Sequence, residues 1–380
     1  MGPVSIPLPA LAAALLFLLA GCADKPAPTG PAAPVGPDGI HLSGDSLFFM
    51  AGINYPWLYY GHDFGQASGK ESAWSHDGMS LPASALRADS QFAALHSNRV
   101  EFVRCFLFCD GRASPEFDSN GYVLGFDSLC YADIDTFLRI AERHSIRIIA
   151  TLLDYLWLDT GIVVGDVPFR GRSAVITDSL KRQSFMDSCL GPFMSRYGAS
   201  PQIATWDIMN EPEWFVLEQG GAGRQSAVSR AQIRRFFGEC VQCIKAYSTI
   251  PVTLGCADAQ WLQDWTGLGL DFYEVHSYSN SGGAPPFLAK ADLGLDRSVL
   301  LGEFPTNVTS ASFVEYLNAA WNNGYAGAFG WSLNGQDASS GFSLPDISNA
   351  YASWVEARDI RLAKVVATVD LTGQASGTKE

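Results

Sequence analysis

The sequence predicts an α/β fold, a single (β/α)8 barrel of the TIM type preceded by a signal peptide and a Pro-rich tether. Three observations carry that expectation. Eight short apolar runs recur along the 380 residues, and amphipathic stretches of helical period lie between most of them. The connections that leave the apolar runs are far longer than those that return to them. Regular alternation of strand and helix calls for a parallel sheet, and eight such units let the sheet close on itself.

Along the chain, residues 11–20 (LAAALLFLLA) form an apolar run too short to span a bilayer, which reads as the core of a signal peptide over 1–21. The tetrad Leu19-Ala20-Gly21-Cys22 resembles the bacterial lipobox, in which the cysteine becomes the lipidated first residue, although the first ten residues hold no Lys or Arg. Cys22 is therefore the expected lipidation site. The expected location is the bacterial cell envelope, lipid-anchored in the outer rather than the inner membrane, or else secreted. Residues 22–38 follow as a linker rich in Pro, Ala and Gly, with Pro26, Pro28, Pro31, Pro34 and Pro37. Such a stretch buries no apolar surface and tends to extended geometry, as a tether does. The barrel is expected over 39–363, and 364–380 reads as a polar tail.

Strands are expected near 48–54, 99–108, 146–154, 203–211, 251–256, 271–279, 298–304 and 327–334. Helices are expected near 83–97, 131–144, 178–197, 229–247 and 309–323. In 131–144 the residues Ile134, Phe137, Leu138 and Ala141 share one stripe, while Asp133, Arg139, Glu142 and Arg143 face away. Short returns such as Ser97-Asn98 contrast with long departures at 55–82, 109–129 and 155–177. Long strand-to-helix loops mark the C-terminal face of a barrel, where active sites form.

Composition narrows the partners. A net charge of −14 without a Lys/Arg cluster argues against nucleic acid and anionic membrane surfaces. An acidic, aromatic-rich chain suits a neutral polysaccharide or oligosaccharide, and a monomer is expected. Setting Cys22 aside leaves seven cysteines, an odd number that requires at least one free thiol. Cys240 and Cys243 lie on one expected helix with no second pair or nearby His to complete a zinc site. One bridge, Cys109–Cys130, is open in an oxidising compartment. His62-Asp63 and His76-Asp77 share a Gly/Ser-rich loop without ligand spacing, so neither metal nor cofactor is expected.

Two glutamates end buried strands on the functional face: Glu211 in Met209-Asn210-Glu211-Pro212, and Glu303 in Leu301-Gly302-Glu303-Phe304. A carboxyl at the end of an apolar strand is held rigidly and partly desolvated, which suits acid–base or nucleophilic work. Asn210-Glu211-Pro212 on the fourth of eight strands resembles the signature of clan A glycoside hydrolases, whose family 5 includes cellulases and β-mannanases. The resemblance spans roughly residues 48–335 and implies Glu211 as acid/base, with Asn210 binding the sugar 2-hydroxyl. Glu303 resembles the strand-seven nucleophile, and His276-Ser277-Tyr278 the His-x-Tyr pair whose Tyr bonds it. Arg104 resembles the Arg that steadies the nucleophile, and Trp331 the aromatic platform under the sugar.

The resemblance implies a retaining β-glycoside hydrolase working by double displacement, endo-acting on β-mannan or β-glucan, without a metal. The two carboxyls should lie about 5 Å apart, and the charge of Glu303 should raise the pKa of Glu211. Each residue also has a structural reading. Glu211-Pro212 also reads as a helix start, Glu303 as a structural barrel carboxylate, Arg104 as the partner of a barrel carboxylate away from the site, and His276 and Trp331 as core residues. Glu274 and Asp207 sit below their strand ends, where a buried hydrogen-bonded role is expected. Asp154 ends its strand at the height of the site and could contact substrate. Tyr55, Trp57, Tyr59, Tyr60, Phe64, Trp74, Trp157 and Trp214 are expected to wall an extended cleft. The alternatives are an exo-β-glycosidase or transglycosylase on the same scaffold, and a glycan-binding surface lipoprotein without activity.

Overall fold

Eight strands with almost every residue buried make up the centre of the fold: β1 (Met50–Asn54), β2 (Phe102–Phe106), β3 (Arg147–Asp154), β4 (Ile203–Asn210), β5 (Val252–Cys256), β6 (Tyr273–His276), β7 (Val299–Pro305) and β8 (Gly327–Trp331). Strands covered on both faces read as continuous apolar runs rather than alternating ones, which is why all eight were visible in the sequence. They pair in parallel in chain order, and β8 pairs with β1 to close the barrel. This computed structural model describes residues 36–42, 46–66, 77–164, 167–278, 287–307, 311–335, 337–341 and 350–362. The expected signal peptide, Cys22, the tether up to residue 35 and the tail 364–380 lie outside the described residues, as do Trp74 and His76. No helix among the described residues is long and apolar enough to cross a membrane.

The register sets the site's height. Asn54 pairs with Arg104, Asp154 with Asn210, and His276 with Glu303, so polar strand ends meet on one level. Below that level the interior is filled by Met50, Phe102, Ile149, Leu300 and Phe329. A small antiparallel sheet of Ile40–Leu42, Ser46–Phe48 and Arg361–Leu362 lies beside this layer, with Phe48 edge-on to Phe102 at 5.8 Å. That sheet was not foreseen, because two- and three-residue strands carry no period.

The helices follow their caps. Pro82–Ser97 starts on Pro, and Asp127 caps Ser128–Arg143 by accepting from the Cys130 amide. Capping boxes open Arg230–Tyr247 (Ser229 with Gln232) and Phe313–Asn322 (Ser312 with Glu315). The expected helix 178–197 is broken into Ser179–Phe185, a π-turn at Met186–Leu190, and Gly191–Tyr197. Pro192 lacks the amide that would continue the ladder, and the turn widens immediately before it.

All seven described cysteines are free thiols, so the Cys109–Cys130 bridge does not form. Cys109 packs with Phe106 and Trp331 under the cleft, whereas Cys130 belongs to the layer between strands and helices.

Candidate active site

Arg104, on β2 and fully buried, organises the floor of the barrel mouth. Its Nη1 donates to Glu303 Oε1 at 2.6 Å and its Nη2 to Asp207 Oδ2 at 2.8 Å. Nε lies 2.8 Å from Glu274 Oε1, and Nη2 also donates to Asn210 Oδ1 at 3.0 Å. The sequence leaves room for this cluster with glycine. A Cβ on Gly255 would stand 2.9 Å from Nη2, and one on Gly302 would fall into the Glu274 side chain. Asp207 and Glu274 are thus buried partners of Arg104, below the reacting level. Asp207 also accepts from Thr151 Oγ1 at 2.7 Å and the Gly255 amide at 3.0 Å.

Glu303 accepts at its other oxygen from the Tyr278 hydroxyl at 2.5 Å. Burial pushes its carboxyl up, His276 and Arg104 pull it down, Glu211 pushes it up again, and the balance leaves it above its ordinary value. Glu211 ends β4 in the left-handed region at φ 46°, uncommon for a non-glycine residue and often found at functional sites. Its amide is held by the Gly255 carbonyl at 2.8 Å. Oε1 meets His276 Nδ1 at 2.8 Å, and Oε2 accepts from Trp214 Nε1 at 2.8 Å.

The expected pKa of Glu211 is overturned. Burial raises it, but the hydrogen bonds and charge of His276 and the Trp214 indole outweigh burial and hold it below its ordinary value. His276 stands between the two carboxyls, with Nδ1 3.6 Å from Glu303 Oε2. Burial lowers the imidazole, but the Glu303 charge, the hydrogen bond to Glu211 and the Glu274 carboxyl 3.6 Å from Nε2 push it up to about 10. The sequence could not place a histidine from β6 between carboxyls from β4 and β7. The proton expected on Glu211 therefore resides on the His276 imidazole, hydrogen-bonded to Glu211 Oε1.

Ligand atoms of Glu211, His276 and Glu303 lie within 4.8 Å of one another, a spacing that could hold a metal ion. Those atoms already bond to one another or to Arg104, Tyr278 and Trp214, and the guanidinium charge opposes a second cation. The spacing instead matches the roughly 5 Å of retaining glycosidases, not the roughly 6.5–9.5 Å of inverting ones.

Six of the expected residues, Arg104, Asn210, Glu211, His276, Tyr278 and Glu303, thus form one network of hydrogen bonds and close charge contacts. Trp331 lines the same cleft of about 660 Å³, its indole donating to Asp337 Oδ2 at 2.7 Å. Trp57, Tyr60 and Phe106 line the cleft near it, and Trp214 and Trp261 form an edge-on pair beside Glu211 at 5.6 Å. Tyr55, Phe64 and Trp157 depart from the expected cleft wall, being buried in the core. Tyr55 packs on Phe92 and Phe137, and its hydroxyl donates to Gln91. Of the His-Asp pairs, Asp63 caps its loop by accepting from the Leu58 and Tyr59 amides.

Asn54, Asp337 and Trp261 were missed. Asn54 had a readable signal, a polar residue ending an apolar run; it accepts from Arg104 and donates to the Gly302 and Gly330 carbonyls. Glu213 was also missed. Its carboxyl is buried without a cation among the described residues, accepts from Trp265 Nε1 and the Ala257 amide, and ties the loop after β4 to the loop after β5. Burial pushes it from an ordinary 4.5 up to about 7. A raised carboxyl means the folded state holds the proton longer, so this group's stabilisation is lost as pH rises through 7. Glu213→Gln turns a donor-only NH2 on one of these two N–H groups, so it is expected to melt below the parent at pH 5, with the gap narrowing by pH 8. Equal melting differences at both values would show that Glu213 does not titrate as described.

No protein-family model matches the chain. A mannan endo-1,4-β-mannosidase of Mytilus edulis is 28% identical over 364 residues, covering 84% of this chain and 91% of the relative. One of Cryptopygus antarcticus is 25% identical over 345 residues, covering 79% and 84%. The crystal structure of an endo-1,4-β-mannanase from Eisenia fetida matches the fold with a TM-score of 0.70 at 24% identity, covering 86% of this chain and 95% of that one. Strand order, paired carboxylates and relatives agree: the chain is an O-glycosyl hydrolase that resembles the cellulases and β-mannanases of clan A, family 5.

Proposed function

We propose that the protein is a retaining, endo-acting β-mannan hydrolase, with Glu303 as nucleophile and Glu211 as acid/base. The observation that carries this reading is the pair of carboxyls within 4.8 Å in a cleft with aromatic rings beyond both. The two mannan-cleaving relatives support the choice of sugar.

Glu303, paired with Arg104 and Tyr278, attacks the anomeric carbon and forms a glycosyl-enzyme. His276 returns its proton along the hydrogen bond to Glu211, which delivers it to the leaving oxygen. Once Glu303 is esterified its charge is gone, so Glu211 can take a proton from the incoming water. Asn210, its carbonyl oxygen held by Arg104, presents its amide to the sugar 2-hydroxyl, and Trp331 supports the ring. All these groups come from one chain, which supports action as a monomer. The lipobox-like tetrad and Pro-rich stretch support tethering through Cys22 at the cell envelope.

The purified protein would be assayed on soluble β-mannan, β-glucan, xylan and cellulose oligomers by reducing-sugar release and viscosity. Viscosity of β-mannan falling ahead of reducing-sugar release is the expected result. Release of monosaccharide with viscosity held would reassign the enzyme to exo action. Binding without any release would make it a glycan receptor.

A further inference from the structure

Asp154 is a cleft residue whose chemistry the double displacement leaves unused. It ends β3 in register with Asn210 and is only 5% exposed. Oδ1 accepts from Asn210 Nδ2 at 3.0 Å and from the Tyr155 amide at 2.9 Å. Oδ2 has no protein partner among the described residues, and the residue lines the cleft beside Asn210, Tyr155 and Glu211. No cation among the described residues pairs with it, unlike Asp207, Glu274 and Glu303, which share Arg104. A buried carboxyl without a cation is costly as an anion and is relieved by holding a proton. Burial, together with the Glu211 and Asp110 charges, pushes it up to about 8 against the Asn210 bond.

The neighbouring amide has a fixed orientation. Arg104 donates to Asn210 Oδ1, so the Asn210 NH2 must face Asp154 and the cleft. Asn210 and Asp154 therefore present adjacent polar groups to one edge of whatever sugar lies between Glu211 and Glu303.

We infer that Asp154 is a substrate-contacting specificity residue, its Oδ2 bearing a proton that it donates to a ring hydroxyl at the C2–C3 edge of the sugar held at the cleavage point. The inference deepens the glycosidase reading and rests on it. Mannose and glucose differ in the direction of the C2 hydroxyl, so a donor fixed on that edge favours one of them. A site built to hydrogen-bond a hydroxyl discriminates strongly, because a mismatched sugar leaves its buried groups unpaired.

Asp154→Asn and Asp154→Ala would be compared with the parent for kcat/KM on mannotetraose and cellotetraose, with melting temperatures alongside. An amide keeps an acceptor for Asn210 and offers an NH2 in place of the acid proton, so Asp154→Asn is expected within about threefold of the parent. Asp154→Ala is expected to lose about 100-fold on mannotetraose, with the manno-to-gluco ratio falling at least about tenfold. Asp154→Asn as impaired as Asp154→Ala would mean the group acts as an anion and would overturn the inference. So would equal losses on both sugars in Asp154→Ala, which mark a purely structural role. A parent that cleaves neither oligosaccharide nor any β-glycan would sink the glycosidase reading itself, and the inference with it.

Discussion

Replacing Glu303 by alanine is expected to lower kcat by roughly four to six orders of magnitude, the scale seen when a nucleophile is removed and only binding remains. The fold should survive. Arg104 faces three carboxylates, Asp207, Glu274 and Glu303, and losing one leaves the guanidinium paired with the other two. The melting temperature of Glu303→Ala should therefore stay near that of the parent. Glu211→Ala should be equally poor on a natural glycoside but recover much of its glycosylation rate on a 2,4-dinitrophenyl glycoside. That leaving group needs no proton, so the acid becomes dispensable while the nucleophile does not. Comparable rescue of Glu303→Ala would mean that the roles of the two glutamates are exchanged or wrong.

Arg104→Leu should be the most damaging single change to stability. It strands three buried carboxylates around a vanished cation, and breaking a buried ion pair by removing one partner costs about 3–5 kcal/mol. Asn210 and Asn54 would lose a donor as well. The carboxyls would respond by taking up protons, including the one on Glu303 that must be absent for attack. Arg104→Lys separates the two effects. It restores a charge and much of the stability, but a single ammonium cannot reach Glu303, Asp207, Glu274 and Asn210 together in the fork that Arg spans. Thermal unfolding and kcat of both variants would check this. Unchanged melting of Arg104→Leu would show that the cluster is not the buried ion network described.

The barrel was legible because its signals are local. Each strand is a continuous apolar run, and each of the longer helices except the one split at Pro192 repeats on one face and opens on a cap or, at Pro82, on proline. The polar residues at strand ends were legible for the same reason, since an apolar run that stops at Glu, Arg or His names its own exception. Resemblance at Asn210-Glu211-Pro212 then ordered those exceptions along the chain. Aromatic loop residues were not separable in this way. Tyr55 and Trp57 are two positions apart on one loop, yet Tyr55 fills the core and Trp57 lines the cleft.

What the sequence by itself determined, then, is the eight barrel strands, the face where their long loops gather and the residue types collected on it. Tertiary structure alone decided how protons and charges are distributed among them. His276 enters between Glu211 and Glu303, Asp154 meets Asn210 across β3 and β4, and buried Glu213 accepts from Trp265. These contacts join residues 52 to 65 positions apart. Burial and Coulomb interaction act through a few ångströms of space, so protonation states follow from barrel closure and register and leave no trace in local pattern.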